Sequence, residues 1–250
     1  MAGHSHSANI AARKGAVDKK RAKVFSKLSR ALMSAVRQGG VDPDSNLKLK
    51  YAIEKARAGN MPKDTIERAI KRAAGEQAGE LEELTYEGYA PGGIALMVVC
   101  LTDNRHRTSP DVKYAFDRHG GNLGAPGSVS FLFQFRSIVV VERGSKGEDE
   151  WVELGLEVGA EDVLVEKEAV TFLAPAAEFL SFKRALEERG VAILSAETGY
   201  MPINAVAVAD KDDARKLLKL IDALEDNEDV QSVYANYEMP DEWIAELSGS

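Results

Sequence analysis

The chain has 250 residues, 44% hydrophobic and 29% charged, with a formal net charge of -8 and a single cysteine. That length favours two or three domains over one. No apolar run approaches the ~18 residues of a membrane span, the N-terminus is polar rather than signal-like, and Cys100 alone excludes an intramolecular disulfide, so a cytoplasmic protein is expected.

Charge is divided unevenly. Residues 1–75 carry 17 Lys or Arg against 6 Asp or Glu, a net of +11, whereas residues 76–250 carry 15 against 34, a net of -19. Basic surface attracts phosphate and acidic surface repels it, so any nucleic-acid contact is expected in the first 75 residues.

Residues 1–12 have no apolar period and read as an arm. His4 and His6 lack the Cys or carboxylate neighbours of a metal site, and no metal or cofactor is expected. Residues 13–37 hold nine cations, Arg13, Lys14, Lys19, Lys20, Arg21, Lys23, Lys27, Arg30 and Arg37, against one acid, Asp18. Lys20, Lys23, Lys27, Arg30 and Arg37 recur at helical steps, and Phe25, Leu28, Leu32 and Val36 form a second stripe. This predicts a helix with an apolar face for a core and a cationic face for a partner. Gly39-Gly40 ends it. Leu49, Ala52, Ile53 and Ala56 mark a second helix, and Ile66, Ala69, Ile70 and Ala73 a third, with Pro62 near its start.

The small-residue stretch 75–80 (GEQAGE) reads as a linker. After it come strands at Tyr86–Tyr89 and Ile94–Leu101, a helix opened by Ser109-Pro110-Asp111, and a strand at Ser128–Phe135. Next, Ile138–Val141, a helix at 148–158, a hairpin over 163–173, a helix opened by Pro175 and a strand from Val191 give β-α-β-β-α-β, the split pattern of a ferredoxin-like sandwich. A strand at Ile203–Val208, a helix at 211–224, the acidic turn 225–229 and a strand at Val230–Tyr237 complete the earlier run. The fold expected is α+β: an all-helical N-terminal domain (1–79), a discontinuous α/β sandwich (80–135 plus 203–240) with a second ferredoxin-like sandwich inserted in it (136–202), and a tail (241–250).

Two loops invite a chemical reading. Gly120–Ser128 is glycine-rich but lacks a P-loop or dinucleotide pattern and leads into a strand, so a tight turn is the better account. In Thr102–Thr108, residues Asn104, Arg105, Arg107 and Thr108 form a candidate anion or RNA loop at a helix N-terminus. Against that, Asp103 can pair one arginine and Thr108 or Ser109 can cap the helix, and the two readings stand level. No nucleophile-base pair, paired carboxylates or metal cluster marks a catalytic site. A membrane partner for the basic helix is disfavoured because its apolar stripe is needed as core.

Several runs resemble the YebC/PmpR family: Met1–Ser5 with Ala8-Asn9-Ile10 and Arg13-Lys14, Gly39-Gly40 to Asn46, Tyr86–Gly93, Thr102–Arg105 with Arg107-Thr108, Gly120–Gly124, Asp222–Asp226, and Asp229–Asn236. The resemblance spans the chain and implies a helical domain plus two α/β domains, the second interrupted by the third. It implies a DNA-binding transcriptional regulator, or a translation factor that binds the ribosome and relieves stalls on proline-rich nascent chains. By resemblance, His4, Ser5, Asn9, Arg13 and Lys14 meet ribosomal RNA. Where the family usually has lysine-tryptophan, this chain has His6-Ser7, and where it has lysine-histidine, Ala11-Ala12. Two cations and a stacking ring are missing, which shifts binding toward Lys20, Lys23, Lys27 and Arg30, with Lys19 beside them as a further candidate contact.

The expected function is therefore a non-enzymatic, monomeric nucleic-acid-associated regulator acting on the translating ribosome. The alternatives are a regulator on duplex DNA and, remotely, an enzyme using the 102–108 loop.

Overall fold

The computed structural model describes residues 17–75 and 81–247. These described residues form two compact units, one of those between 17 and 131 with Val208–Ala235, the other of Leu132–Ala207 with 236–247.

The first unit begins with three helices, α1 (Val17–Gly39), α2 (Leu47–Ala58) and α3 (Lys63–Ala73). Their apolar stripes meet as the periodicity requires: Leu28, Leu32, Ala35, Val36, Leu49, Ala56, Met61, Ile66, Ala69 and Ala73 make one buried cluster, flanked by Phe25. Asn46 stitches the first turn together. Its Oδ1 accepts from Leu49 N at 3.1 Å, capping α2, while its Nδ2 donates to Ala35 O at 2.7 Å and Gly40 O at 2.8 Å.

The same unit holds strands β1 (Glu82–Tyr89), β2 (Ala95–Thr102) and β3 (Asn122–Leu123), helix α4 (Arg105–Arg118), and, after the other unit has intervened, further pieces of chain. These lie beyond β4 (Phe133–Glu142), α5 (Glu148–Val158), β5 (Asp162–Val165), β6 (Ala169–Pro175), α6 (Phe179–Glu188), β7 (Ile193–Pro202) and β8 (Val206–Ala207), and they are α7 (Lys211–Asp226) and β9 (Val230–Ala235). The sheet is antiparallel throughout, in the order β3-β1-β2-β9, with α4 and α7 packed on it. A central hairpin thus receives one helix-then-strand at each edge.

The edge strand β3 comes from the glycine-rich loop, where the sequence pattern placed only a turn. Close approach makes this possible. A Cβ on Gly88 would lie 2.6 Å from Asn122 O and 2.7 Å from Phe116 Cε1. Gly88→Ala should therefore cost about 1–3 kcal/mol in urea denaturation through backbone displacement.

The segment that follows departs from expectation as well. Ser128–Phe135 and Ile138–Val141 were expected as separate strands in separate domains, whereas the chain makes one strand, β4. Glu87 accepts from Gly127 N at 2.8 Å, Val129 N at 2.7 Å and Ser130 N at 2.8 Å, removing those amides from any ladder. Ser137, between the two expected strands, is buried and donates to Pro175 O at 2.8 Å.

The second unit is β4-α5-β5-β6-α6-β7 with strand order β5-β6-β4-β7, the split pattern read from the sequence. Trp151 and Leu154 of α5 and Phe182 and Leu186 of α6 pack on Val139, Val141, Val170 and Phe172. In the same unit β8 pairs in parallel with β10 (Tyr237–Glu238), so the strands expected at 203–208 and 230–237 are shorter and divided between units. The expected tail instead begins with helix α8 (Asp241–Leu247), in which Ile244 is buried and Trp243 half-buried.

Candidate functional site

The cationic stripe of α1 is where the sequence pointed, and its described members face other groups of the first unit. Lys23 Nζ lies 3.1 Å from Asp226 Oδ1. Lys27 Nζ donates to the backbone oxygen of Glu225 at 2.6 Å. Arg30 donates to the Asp229 carboxylate and to Leu101 O at 3.2 Å. The acidic turn 225–229 at the end of α7 is thus the stripe's partner in this structure. Burial pulls the Lys27 ammonium below its ordinary pKa, against the pull of Glu225 and Asp226. Farther along α1, Arg37 Nη2 donates to Gly75 O at 3.2 Å.

Asp229 is the centre of this arrangement. It is 3% exposed. Arg107 Nη2 donates to its two oxygens at 3.1 and 2.9 Å, Thr108 Oγ1 at 2.8 Å and Thr102 Oγ1 at 3.3 Å. Burial alone would raise the pKa of Asp229, but the bonds from Arg107, Arg30 and Thr108 outweigh it and hold the carboxyl below its ordinary range. Sequence reasoning noted the acidic turn but missed Asp229 as the keystone. Period and spacing carry no signal for a contact with Arg30 made 199 residues away.

The 102–108 loop is built around the same carboxylate. The helix starts at Arg105, four residues before the expected Ser109, because Asn104 caps it: its Oδ1 accepts from His106 N at 3.1 Å and Arg107 N at 3.3 Å. Thr108, expected as a possible cap, instead bonds Asp229 and is fully buried. Arg107 pairs with Asp103 at 2.9 Å as well as with Asp229. Arg105 is exposed, 3.7 Å from Glu82. So the first-turn donors and Arg107, the strongest candidates for holding an anion, are engaged within the fold. Arg105→Ala should leave the melting temperature unchanged, whereas Arg107→Ala should lower it, since only Arg107 reaches the buried carboxylate. Differential scanning calorimetry of the two variants checks this.

Glu87 organises the glycine-rich loop in a comparable way. Burial of its carboxylate favours the neutral form, but the amides of Val129, Gly127 and Ser130 overcome this and hold its pKa below the ordinary 4.5. Glu87→Gln should cost about 1–3 kcal/mol. The sign follows from the depressed value: the wild-type advantage is complete above pH 4.5 and fades as pH falls through the lower folded value, which melts over pH 2.5–7 would show.

The other predicted contacts divide in two. Lys19 and Lys20 fall on α1 by backbone, and His4, Ser5, Asn9, Arg13 and Lys14 lie outside the described residues. On α3, Lys71 and Arg72 are exposed and form no ion pair among the described residues. Among those residues, no group of three or more His, Cys, Asp or Glu could hold a metal ion, and no helix is long and apolar enough to cross a membrane. Burial pushes the Cys100 thiol up to about 12, which leaves it unreactive at neutral pH.

Comparison with known proteins places these features in context. A family model described as the TACO1/YebC protein N-terminal domain matches residues 5–76, and one described as the TACO1/YebC second and third domain matches residues 81–237. A "Probable transcriptional regulatory protein" of Rubrobacter xylanophilus is 47% identical over 251 residues, covering 100% of both chains. One of Aquifex aeolicus is 48% identical over 248 residues, covering 99% of this chain and 100% of the relative. The crystal structure of a conserved hypothetical protein from Aquifex aeolicus is similar at a TM-score of 0.80 and 46% identity, over 89% of this chain and 92% of that one.

Proposed function

The chain belongs to the TACO1/YebC family, and from that premise we propose that it is a non-enzymatic regulator of gene expression that works by binding nucleic acid, as a ribosomal-RNA-binding translation factor relieving stalls on proline-rich nascent chains. The observation that carries the reading is the charge division, +11 in residues 1–75 against -19 in the rest. Such a chain meets phosphate with its helical end and holds its α/β body away. The contacting groups in this reading are His4, Ser5, Asn9, Arg13, Lys14, Lys19 and Lys20, joined by Lys23, Lys27 and Arg30 of the stripe and by Lys71 and Arg72 on the outer side of α3. Phosphate contact fits these residues better than base readout, because no finger, aromatic RNP motif or KH loop accompanies them.

The test is crosslinking in cells followed by sequencing of the bound nucleic acid. Enriched ribosomal RNA is the expected result, with ribosome co-sedimentation that weakens as salt rises. No association with ribosomes even at low salt would sink the reading. Regulation through duplex DNA is the second reading, favoured by the name that the curated relatives carry, "Probable transcriptional regulatory protein". Recovery of promoter DNA in the same experiment would reverse the order.

A further inference from the structure

Three cations proposed to meet phosphate are occupied by the protein's own acidic turn, and the manner of occupation matters. Arg30 meets a carboxylate, Lys23 meets a carboxylate, and Lys27 meets a backbone oxygen. The two carboxylates stand in for phosphate oxygens, and the carbonyl adds a neutral acceptor beside them. We propose that the turn 225–229 is a built-in phosphate mimic that covers the α1 stripe, so that a nucleic acid gains Lys23, Lys27 and Arg30 only when α1 leaves the turn. The inference rests on the nucleic-acid reading above and adds a competitor inside the chain.

Four features make the contact releasable. The helical core is built from α1, α2, α3 and Met61, so it does not need the sheet to stay closed. When Arg30 leaves, Asp229 is still held by Arg107, Thr108 and Thr102, and no buried charge is orphaned. The Lys23–Asp226 pair is exposed on both sides, where ion pairs hold weakly and are screened by salt. Lys27, whose ammonium is disfavoured by burial, regains hydration or a phosphate when it is released. The covered state lowers apparent affinity by the fraction of molecules that are open, which a polyanion of sufficient charge overcomes.

The test compares two double variants of equal charge change. Glu225→Gln with Asp226→Asn weakens the turn, and Glu148→Gln with Asp149→Asn on α5 neutralises two acids elsewhere. Asp226→Asn alone, at a side chain 62% exposed, serves if the double variant does not fold. Fluorescence anisotropy reads binding of a single-stranded RNA of about 20 nucleotides, and separately of a duplex DNA of similar length, over a salt series. The turn variant should bind both about three- to tenfold more tightly than wild type, the size of an exposed ion pair or two, while the α5 variant stays within about twofold of wild type. Equal gains in both variants would show a general charge effect and overturn the mimic while leaving the nucleic-acid reading intact. Absence of binding in every variant, the uncovered stripe included, would overturn both.

Discussion

Asp229→Ala should destabilise the first unit by about 1–3 kcal/mol, the range for leaving buried hydrogen-bonding partners unsatisfied. The side chain is 3% exposed and receives hydrogen bonds from Arg30, Arg107, Thr102 and Thr108. Its removal leaves Arg30 without a carboxylate, Arg107 with Asp103 alone, and the buried Thr102 hydroxyl short of an acceptor, while Thr108 keeps Asn104 O. Asp229→Asn should recover only part of the stability, because an amide keeps the shape but turns one acceptor into a donor aimed at donors. The pH dependence gives an independent check. The folded pKa of Asp229 is depressed, so the carboxylate's contribution is complete above the ordinary value of 3.8 and disappears as pH falls through the folded value. Urea titrations at neutral and acidic pH would measure both effects. A difference under about 1 kcal/mol at neutral pH would mean that the network is replaceable by water.

Lys71→Glu combined with Arg72→Glu should weaken binding to single-stranded RNA at least tenfold at low salt. It should also flatten the slope of log affinity against log salt by about 1.4, or about 0.7 for each phosphate no longer neutralised. Both side chains are exposed on α3 without an ion pair among the described residues, but they lie in its last turn, where acids oppose the helix dipole, so the melting temperature should fall by a few degrees at most. Reversal at Arg30 would give a less readable result, since it sets a carboxylate against Asp229 and confounds binding with folding. Lys167→Glu, on the exposed turn between β5 and β6, is a single-site control away from α3 and should leave affinity nearly unchanged. An unaltered salt slope in the α3 variant would remove α3 from the interface.

What the sequence made legible follows from range. The stripes Phe25/Leu28/Leu32/Val36, Leu49/Ala56 and Ile66/Ala69/Ala73 are local patterns, and they are the core. The β-α-β-β-α-β order of the second unit was legible for the same reason: each strand and helix carries its own period. The failures lie where a distant group overrides a local preference. Pro110 drew the start of α4 four residues too late, since Asn104, and not Thr108 or Ser109, is the cap that the fold selects. The expected strand Ser128–Phe135 loses its first residues because Glu87 takes the amides of Gly127, Val129 and Ser130. The stripe on α1 was visible as a charged face looking for a partner, yet its partner in the structure is the chain's own turn, which no periodicity can report.

The interrupted first sheet also sets a clock. Asp229 lies 199 residues beyond Arg30 and 127 beyond Thr102. At about 5–20 residues per second of synthesis, roughly 10–40 s separate the emergence of the stripe from that of the carboxylate that pairs with it. During this interval β2 has one unpaired edge, Arg107 has only Asp103 as its anion, and the cations of α1 stand open to whatever polyanion is nearest. The newborn chain therefore passes through a stage in which its basic end is more available than it will be once the last strand closes the sheet.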